Sequence, residues 1–332
     1  MPHAADSRAI VWMFSGQGSQ YFQMGKDLYR SDYTFRQWMN RLDEVAREKS
    51  GHSIVAVVYA DRFSHDTPFE DLPYTQAALF MVQYALAKAL LARGFPRPDY
   101  LLGASLGEFV ATAVAGAVEP ERMLLDLIAQ AQLFDTSCRG GAMLMVIDQV
   151  QTFYDDPLFA GGCELAGINF DGCFVVAGLA SRIAALGQSL KTRNITFRRL
   201  PIPVAFHSSC IEPARVHFQK HLAEREVRPG TIPIISCARA PRQPNEAPAE
   251  PWWNVVREPI LFGHSIQHFD HRHPDSIYVD LGPAGNLATF AKYALSPHAR
   301  DRILPIMTPY GRDAEKVNAA HRRIADAMAR RP

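Results

Sequence analysis

The chain has 332 residues, 48% hydrophobic and 21% charged, with a formal net charge of +1. This balance excludes a disordered chain and leaves room for one large domain with an insertion, or for two domains. A net charge this small offers no bulk attraction for nucleic acid, so any acidic partner must be met by a local patch.

In chain order, Ile10–Phe14 is an apolar run with the length of a buried strand. It opens into Ser15-Gly16-Gln17-Gly18-Ser19-Gln20, and a helix is expected from near Tyr21. A glycine loop between strand and helix presents backbone N–H groups at a helix start. Phosphate binding is the weaker reading, because the loop has neither G-K-[ST] nor a full G-x-G-x-x-G. Donation of an N–H to an oxyanion is preferred, provided the loop lies near Ser105. Helical patterns cover about Phe35–Lys49 and Tyr74–Arg93. The most apolar stretch, Ala77–Phe95, is interrupted by Gln83, Lys88 and Arg93 and reads as a buried helix, not a membrane span.

After Pro96 and Pro98 the chain enters Tyr100-Leu101-Leu102-Gly103-Ala104-Ser105-Leu106-Gly107-Glu108-Phe109. This is a G-x-S-x-G pattern where an apolar run meets an amphipathic one. A strand that turns into a helix through two glycines exposes the residue at its tip, here Ser105. The helix start aims free N–H groups at charge developing on the serine oxygen. Ser105 therefore reads as a nucleophile that forms an acyl-enzyme; the alternative is a glycine turn with an incidental serine. Helices follow to about Gly116 and over Glu119–Phe134. The alternation argues for an α/β core with a largely parallel sheet.

Near Arg139 the pattern changes. Ala142–Ile147, Cys163–Asn169, Phe174–Gly178 and Ile195–Leu200 read as strands, with helices over Val150–Phe159 and Ser181–Thr192. The order βαββαβ is the ferredoxin-like arrangement, expected as a subdomain (139–203) inserted into a larger domain (1–138 and 204–332). Beyond it, Thr231–Cys237 reads as a strand and proline-rich Ala238–Pro251 as a surface loop. Helices are expected at Trp252–Arg257 and Phe262–Phe269, a strand at Ile277–Leu281, a turn at Gly282–Gly285, and a solvated helix at Arg322–Arg331.

The five cysteines, Cys138, Cys163, Cys173, Cys210 and Cys237, form no C-x-x-C pair and read as reduced thiols of a cytoplasmic protein. No signal peptide is visible. A serine needs a base. Among twelve histidines, His264, His268, His271 and His273 share one segment without a ligand pattern such as H-E-x-x-H and read as surface residues. His207 differs, since it lies in the apolar Pro201-Ile202-Pro203-Val204-Ala205-Phe206-His207-Ser208-Ser209. Both a core histidine and a general base remain open from the residues alone.

Gly16–Gln20, Gly103–Glu108, Ala205–Ser208 and Asp280–Pro283 stand in the order and spacing of malonyl-CoA:acyl carrier protein transacylases and polyketide synthase acyltransferase domains, which the chain resembles from about Val11 to Pro309. The resemblance implies an α/β-hydrolase-like large domain with an inserted ferredoxin-like subdomain. It implies a Ser105–His207 dyad and an oxyanion hole from the N–H groups of Gln17 and Leu106. It also implies a backbone carbonyl within Asn254–Pro259 that orients the histidine. Two departures stand out. Ala104 occupies the place of the usual histidine, and Gln130 that of the arginine that holds a malonyl carboxylate; no arginine lies between Arg122 and Arg139. Losing a charge-assisted hydrogen bond of about 1.5–3 kcal/mol removes about 10- to 100-fold of malonyl preference. Ala104, Gln130 and Phe206 thus become candidate residues for an uncharged acyl chain; the alternative is an arginine reaching in from elsewhere.

The combination resembles a narrower group, the trans-acting acyl hydrolases of trans-acyltransferase polyketide synthases, which clear stalled acyl groups from carrier-protein phosphopantetheine arms. The expectation is a Ser105 acyl-enzyme hydrolysed by water that His207 activates, in a monomer whose partners are acyl carrier proteins. An acyltransferase of non-malonyl groups and a non-catalytic carrier-binding subunit are the rival readings. Carrier proteins are usually acidic, and Arg193, Arg198 and Arg199 are candidate contacts, with solvated arginines as the alternative. No cofactor or metal is expected beyond the phosphopantetheine on the substrate.

Overall fold

Side chains of the first strand alternate between two apolar layers. Ile10, Trp12 and Phe14 point into one layer, Val11 and Met13 into the other. A strand buried on both faces belongs inside a parallel sheet covered by helices on both sides. The computed structural model, which describes residues 8–155, 157–223, 225–238 and 250–329, has this architecture. Its strands are β1 (Ile10–Phe14), β2 (Tyr100–Gly103), β3 (Gly141–Ile147), β4 (Cys163–Phe170), β5 (Cys173–Leu179), β6 (Thr196–Arg199), β7 (Ile234–Ser236), β8 (Ile277–Asp280) and β9 (Ile303–Pro305). The larger sheet runs β7-β2-β1-β8-β9 with all its pairs parallel.

The apolar helix Leu72–Ala92 lies against the first face of this sheet. It has the length and apolarity to cross a membrane, but 83% of its most apolar window is buried within the fold. Gln83 sits in it, fully buried. Helices Phe262–Arg272 and Asn286–Ala294 cover the second face.

The second sheet is antiparallel in the order β4-β5-β3-β6. Leu144, Val146, Phe174 and Val176 on one of its faces pack against Phe159 and against Ile183, Leu186 and Leu190 of the helix Ala180–Thr192. The opposite face carries Met143, Met145 and Val175, which turn towards the larger sheet. An Arg139–Val204 bridge closes the two ends of this segment. At Gly141 the chain crosses so close to Ala205 that a Cβ would lie 2.3 Å from its nitrogen, so only glycine fits. The sheets are also stitched at Ile260, whose N–H donates to Ala166 O at 2.9 Å and whose carbonyl accepts from Ile168 N at 2.7 Å.

Several expectations are corrected. The helix expected from Tyr21 begins at Lys26, because Gln23 (φ 72°) and Gly25 (φ 71°) adopt left-handed backbone that breaks a helical run. The helix expected over Val150–Phe159 is two short ones, Gln151–Asp155 and Pro157–Ala160. The helix Asn286–Ala294 and strand β9 lie in a stretch for which no element was expected. The Ala238–Pro251 segment lies mostly outside the described residues, as do the last two residues of the expected tail helix.

Candidate active site

The elbow is built by exclusion. A Cβ on Gly103 would lie 2.3 Å from Glu108 Cα, and one on Gly107 would lie 1.9 Å from Phe14 O. Strand β2 can therefore turn into the helix Leu106–Val114 only with glycine at both positions. The residue between them, Ser105, is forced to φ 53°, ψ −123°. Such backbone costs about 1–3 kcal/mol and persists only where its surroundings impose it.

His207 also has positive φ, at 61°. Its place is set by the helix Glu250–Arg257, whose Trp252, Trp253, Val255 and Val256 are buried. Trp252 stacks on Phe109 of the elbow helix with ring centroids 5.1 Å apart. Each such side chain contributes about 1.5–3 kcal/mol by leaving water. The last carbonyls of a helix lack intrahelical partners, and here His207 uses two carbonyls at this end of the segment. Its N–H donates to Val256 O at 3.0 Å, and Nδ1 lies 2.7 Å from Glu258 O. A carbonyl only accepts, so Nδ1 carries the proton and Nε2 presents its lone pair. Nε2 stands 3.0 Å from Ser105 Oγ. Burial pushes the imidazole down to about 4, against the raising effect of the Glu258 carbonyl and with a smaller lowering from Arg257. The pair can pass the hydroxyl proton to a neutral ring, the arrangement a serine nucleophile needs.

The loop after β1 lies alongside. A Cβ on Gly16 would be 2.8 Å from Ala104 O and 3.5 Å from Leu106 N, so the Gly16–Gln17 segment borders the first N–H of the elbow helix. That loop is clamped by Gln83, which accepts from Ser15 N at 2.8 Å and donates to Ser15 O at 3.0 Å. Gln20 holds its far end by accepting from Gly18 N at 2.7 Å and donating to Phe69 O. The buried Asp280 organises the opposite wall. Its carboxylate accepts from Gly282 N at 2.8 Å and Ala288 N at 2.7 Å, which fixes the turn into the helix Asn286–Ala294. Burial raises this carboxyl to about 6, although the backbone N–H groups pull it down.

Ser105 and His207 open onto a cleft of about 280 Å³ between the two sheets, with Gln17, Ala104 and Phe206 also on its wall. Leu106 is buried behind the elbow. Gln130 is not on the wall. It donates through Nε2 to Gln76 Oε1 at 3.0 Å, and Gln76 donates to Gln17 Oε1 at 3.2 Å. Gln130, expected to touch the acyl chain, is thus turned to Gln76 through its amide nitrogen and does not line this cleft. An arginine does reach the cleft from elsewhere: Arg198 on β6. It faces away from its neighbour Arg199, since Arg198 pairs with Met145 of the cleft face and Arg199 with Leu144 of the helix-packed face. Sequence reading also missed the helix Asn286–Ala294, whose Leu287 and Phe290 line the cleft. Leu287, Ala288, Ala291 and Ala294 repeat at helical spacing, a signal that was available. His264, His268 and His271 are exposed, and His273 stacks on Phe269 with centroids 4.5 Å apart. Among the described residues no group of three or more potential ligands could hold a metal.

The sequence profile of the acyl transferase domain matches residues 11–328. The chain is 37% identical to the polyketide biosynthesis acyltransferase homolog BaeD of Bacillus velezensis, over 98% of this chain and 99% of that one. It is 37% identical to the homolog PksD of Bacillus subtilis, over 93% and 94%. The solved acyl transferase domain of SpnD, in complex with 2-(pent-4-yn-1-yl)malonyl, superposes with a TM-score of 0.84 at 27% identity, over 97% of this chain and 77% of that one. The malonyl CoA-acyl carrier protein transacylase (FabD) of Coxiella burnetii shares the fold, with a TM-score of 0.79 at 21% identity over 95% and 98%. An α/β fold that carries an elbow serine beside a buried imidazole, and a profile match across nearly its whole length, place this chain in the acyl transferase domain family.

Proposed function

We propose that this protein is an acyl hydrolase that clears acyl groups from acyl carrier protein phosphopantetheine thioesters in polyketide biosynthesis. The observation that carries the reading is the 3.0 Å contact between Ser105 Oγ and His207 Nε2 at the wall of the cleft. Ser105 Oγ attacks the thioester carbonyl as its proton moves to Nε2. The oxyanion accepts from the N–H groups of Gln17 and Leu106. The C–S bond breaks and the thiol leaves with the proton from Nε2. Water then gives a proton to Nε2, attacks the serine ester, and Ser105 recovers its proton as the acid departs. In the same reading the larger sheet belongs to an α/β-hydrolase-like domain (1–138 and 204–332). The β4-β5-β3-β6 sheet is an inserted ferredoxin-like subdomain (139–203), supported by its antiparallel strand order.

Two features argue against an acyl group that places a malonyl-type carboxylate at the Gln130 position. Met143, Met145, Val175, Leu200, Phe206 and Phe262 make much of the wall apolar, and Gln130 occupies the family's carboxylate-binding position while facing Gln76. The names of the relatives, polyketide biosynthesis acyltransferase homologs, favour a second reading in which a second thiol takes the acyl group. Incubating an acyl-carrier protein with the enzyme, with and without a second carrier, separates the two. Release of free acid with little transfer is the expected result. Transfer without free acid overturns hydrolysis.

A further inference from the structure

We infer that Arg198 is an anion receptor in the cleft, which binds an oxyanion carried by the thioester substrate: a phosphate on its pantetheine arm or a carboxylate on its acyl group. The inference deepens the reading of the cleft as a thioester-cleaving site and rests on it.

Arg198 is held by strand register. It lies opposite Met145 in the β3–β6 ladder, on the same face as Met143 and Leu200, so its side chain belongs to the cleft and not to the helix-packed core. The lining contains no aspartate and no glutamate. Its other ionisable group, His207, is held neutral by burial above about pH 4. The guanidinium is therefore the only fixed charge on the wall among the described residues. Some other arginines are neutralised: Arg257 pairs with Glu212 at 2.8 Å, Arg302 with Asp270 at 3.1 Å, and Arg139 with Asp135 at 2.7 Å. Arg198 has no carboxylate partner among the described residues. A fork of donors on a wall that carries no carboxylate selects a planar or tetrahedral oxyanion that can be bound by two parallel hydrogen bonds. It cannot replace an arginine at the Gln130 position, because Gln130 lies behind the wall and Arg198 is exposed on an edge strand. An anion bound there is thus held towards the solvent side of the cleft, not beside the buried helix Pro120–Ser137.

Three synthetic thioesters test this: a neutral S-acyl-pantetheine, its 4′-phosphate, and an S-acyl-pantetheine whose acyl chain ends in a carboxylate. Thiol release is followed for the wild type, Arg198→Ala and Arg198→Lys. The expected result is a KM about tenfold higher for Arg198→Ala on at least one anionic thioester. The neutral thioester is unaffected and Arg198→Lys recovers part of the loss. An effect confined to the phosphate names the arm as the source; one confined to the carboxylate names the acyl group. Equal KM for wild type and Arg198→Ala on all three thioesters overturns the inference, as does an equal loss on all three. If the wild type cleaves none of them, the thioester-cleaving reading falls on its own. The same comparison is then made by equilibrium binding of the three compounds to Ser105→Ala, with and without Arg198→Ala, where equal affinities again overturn the receptor.

Discussion

Ser105 Oγ and His207 Nε2 stand 3.0 Å apart although 102 residues separate them in the chain. Each is held in left-handed backbone by its own neighbours, one by two glycines at the elbow and the other by two carbonyls at the end of the helix Glu250–Arg257. Ser105→Ala should lower kcat for thioester cleavage at least about a thousandfold, as should His207→Ala, and the double variant should lose no more than either alone. Mass spectrometry after exposure to an acyl thioester should find an acyl adduct on Ser105 in the wild type only.

The pH profile follows from burial. His207 must be neutral to accept a proton, and its folded pKa lies near 4. The acid limb of kcat/KM should therefore sit near pH 4–5, so that activity at pH 5.5 remains close to that at pH 7. A limb with its midpoint at about 6.5, the value of an exposed histidine, would contradict the buried, carbonyl-bound ring. Stability should respond with a definite sign. The unfolded imidazole takes up a proton near 6.5 while the folded one does so near 4. The stabilisation is present above pH 6.5 and is lost as pH falls towards 4, on the order of 3 kcal/mol for this group. Chemical denaturation at pH 7 and pH 4.5, compared for the wild type and His207→Ala, measures it.

Gly107→Ala should prevent the elbow from forming. The added methyl would lie 1.9 Å from Phe14 O, and backbone on both sides is fixed by the sheet. We expect loss of more than about 3 kcal/mol of stability, or an insoluble product. Gly51→Ala, at an αL helix end with open space around it, serves as the comparison and should cost only about 1 kcal/mol from its positive φ.

The chain from Gln130 through Gln76 to Gln17 should act on turnover without touching the acyl group. Gln130→Leu leaves the buried Gln76 carbonyl without its donor, at a cost of about 1–3 kcal/mol of stability. It should lower kcat several-fold through the Gln17 loop while KM for a neutral acyl thioester stays constant. A large rise in KM with kcat unchanged would put Gln130 back in direct contact with substrate.

Asp280→Asn should destabilise the wall opposite the elbow. Both carboxylate oxygens accept from backbone N–H groups, and an amide offers only one acceptor while aiming a donor at the other N–H. A loss of about 1–3 kcal/mol in denaturant unfolding is expected.

Local chemistry sufficed for much of this molecule. The unbroken apolar runs at Ile10–Phe14 and Tyr100–Gly103 required strands buried on both faces, and the glycines around Ser105 required a sharp turn, because no larger residue leaves the space. The βαββαβ order of the middle segment was equally readable from its periodicity, while the pairing of Ser105 with His207 was implied by the family resemblance that the four motifs carry. What it could not supply was anything that depends on which surfaces meet. Glu258 could not be singled out as the residue whose carbonyl orients His207, since every residue has a carbonyl and only packing of the Trp252–Trp253 helix decides which one faces the ring. Gln130 was expected in the cleft and lies behind it, because its amide finds Gln76 from a helix 54 positions away. Arg198 was read as a candidate carrier-protein contact or a solvated arginine and lines the cleft, because the register of an edge strand against β3, not its own side chain, selects the face it occupies.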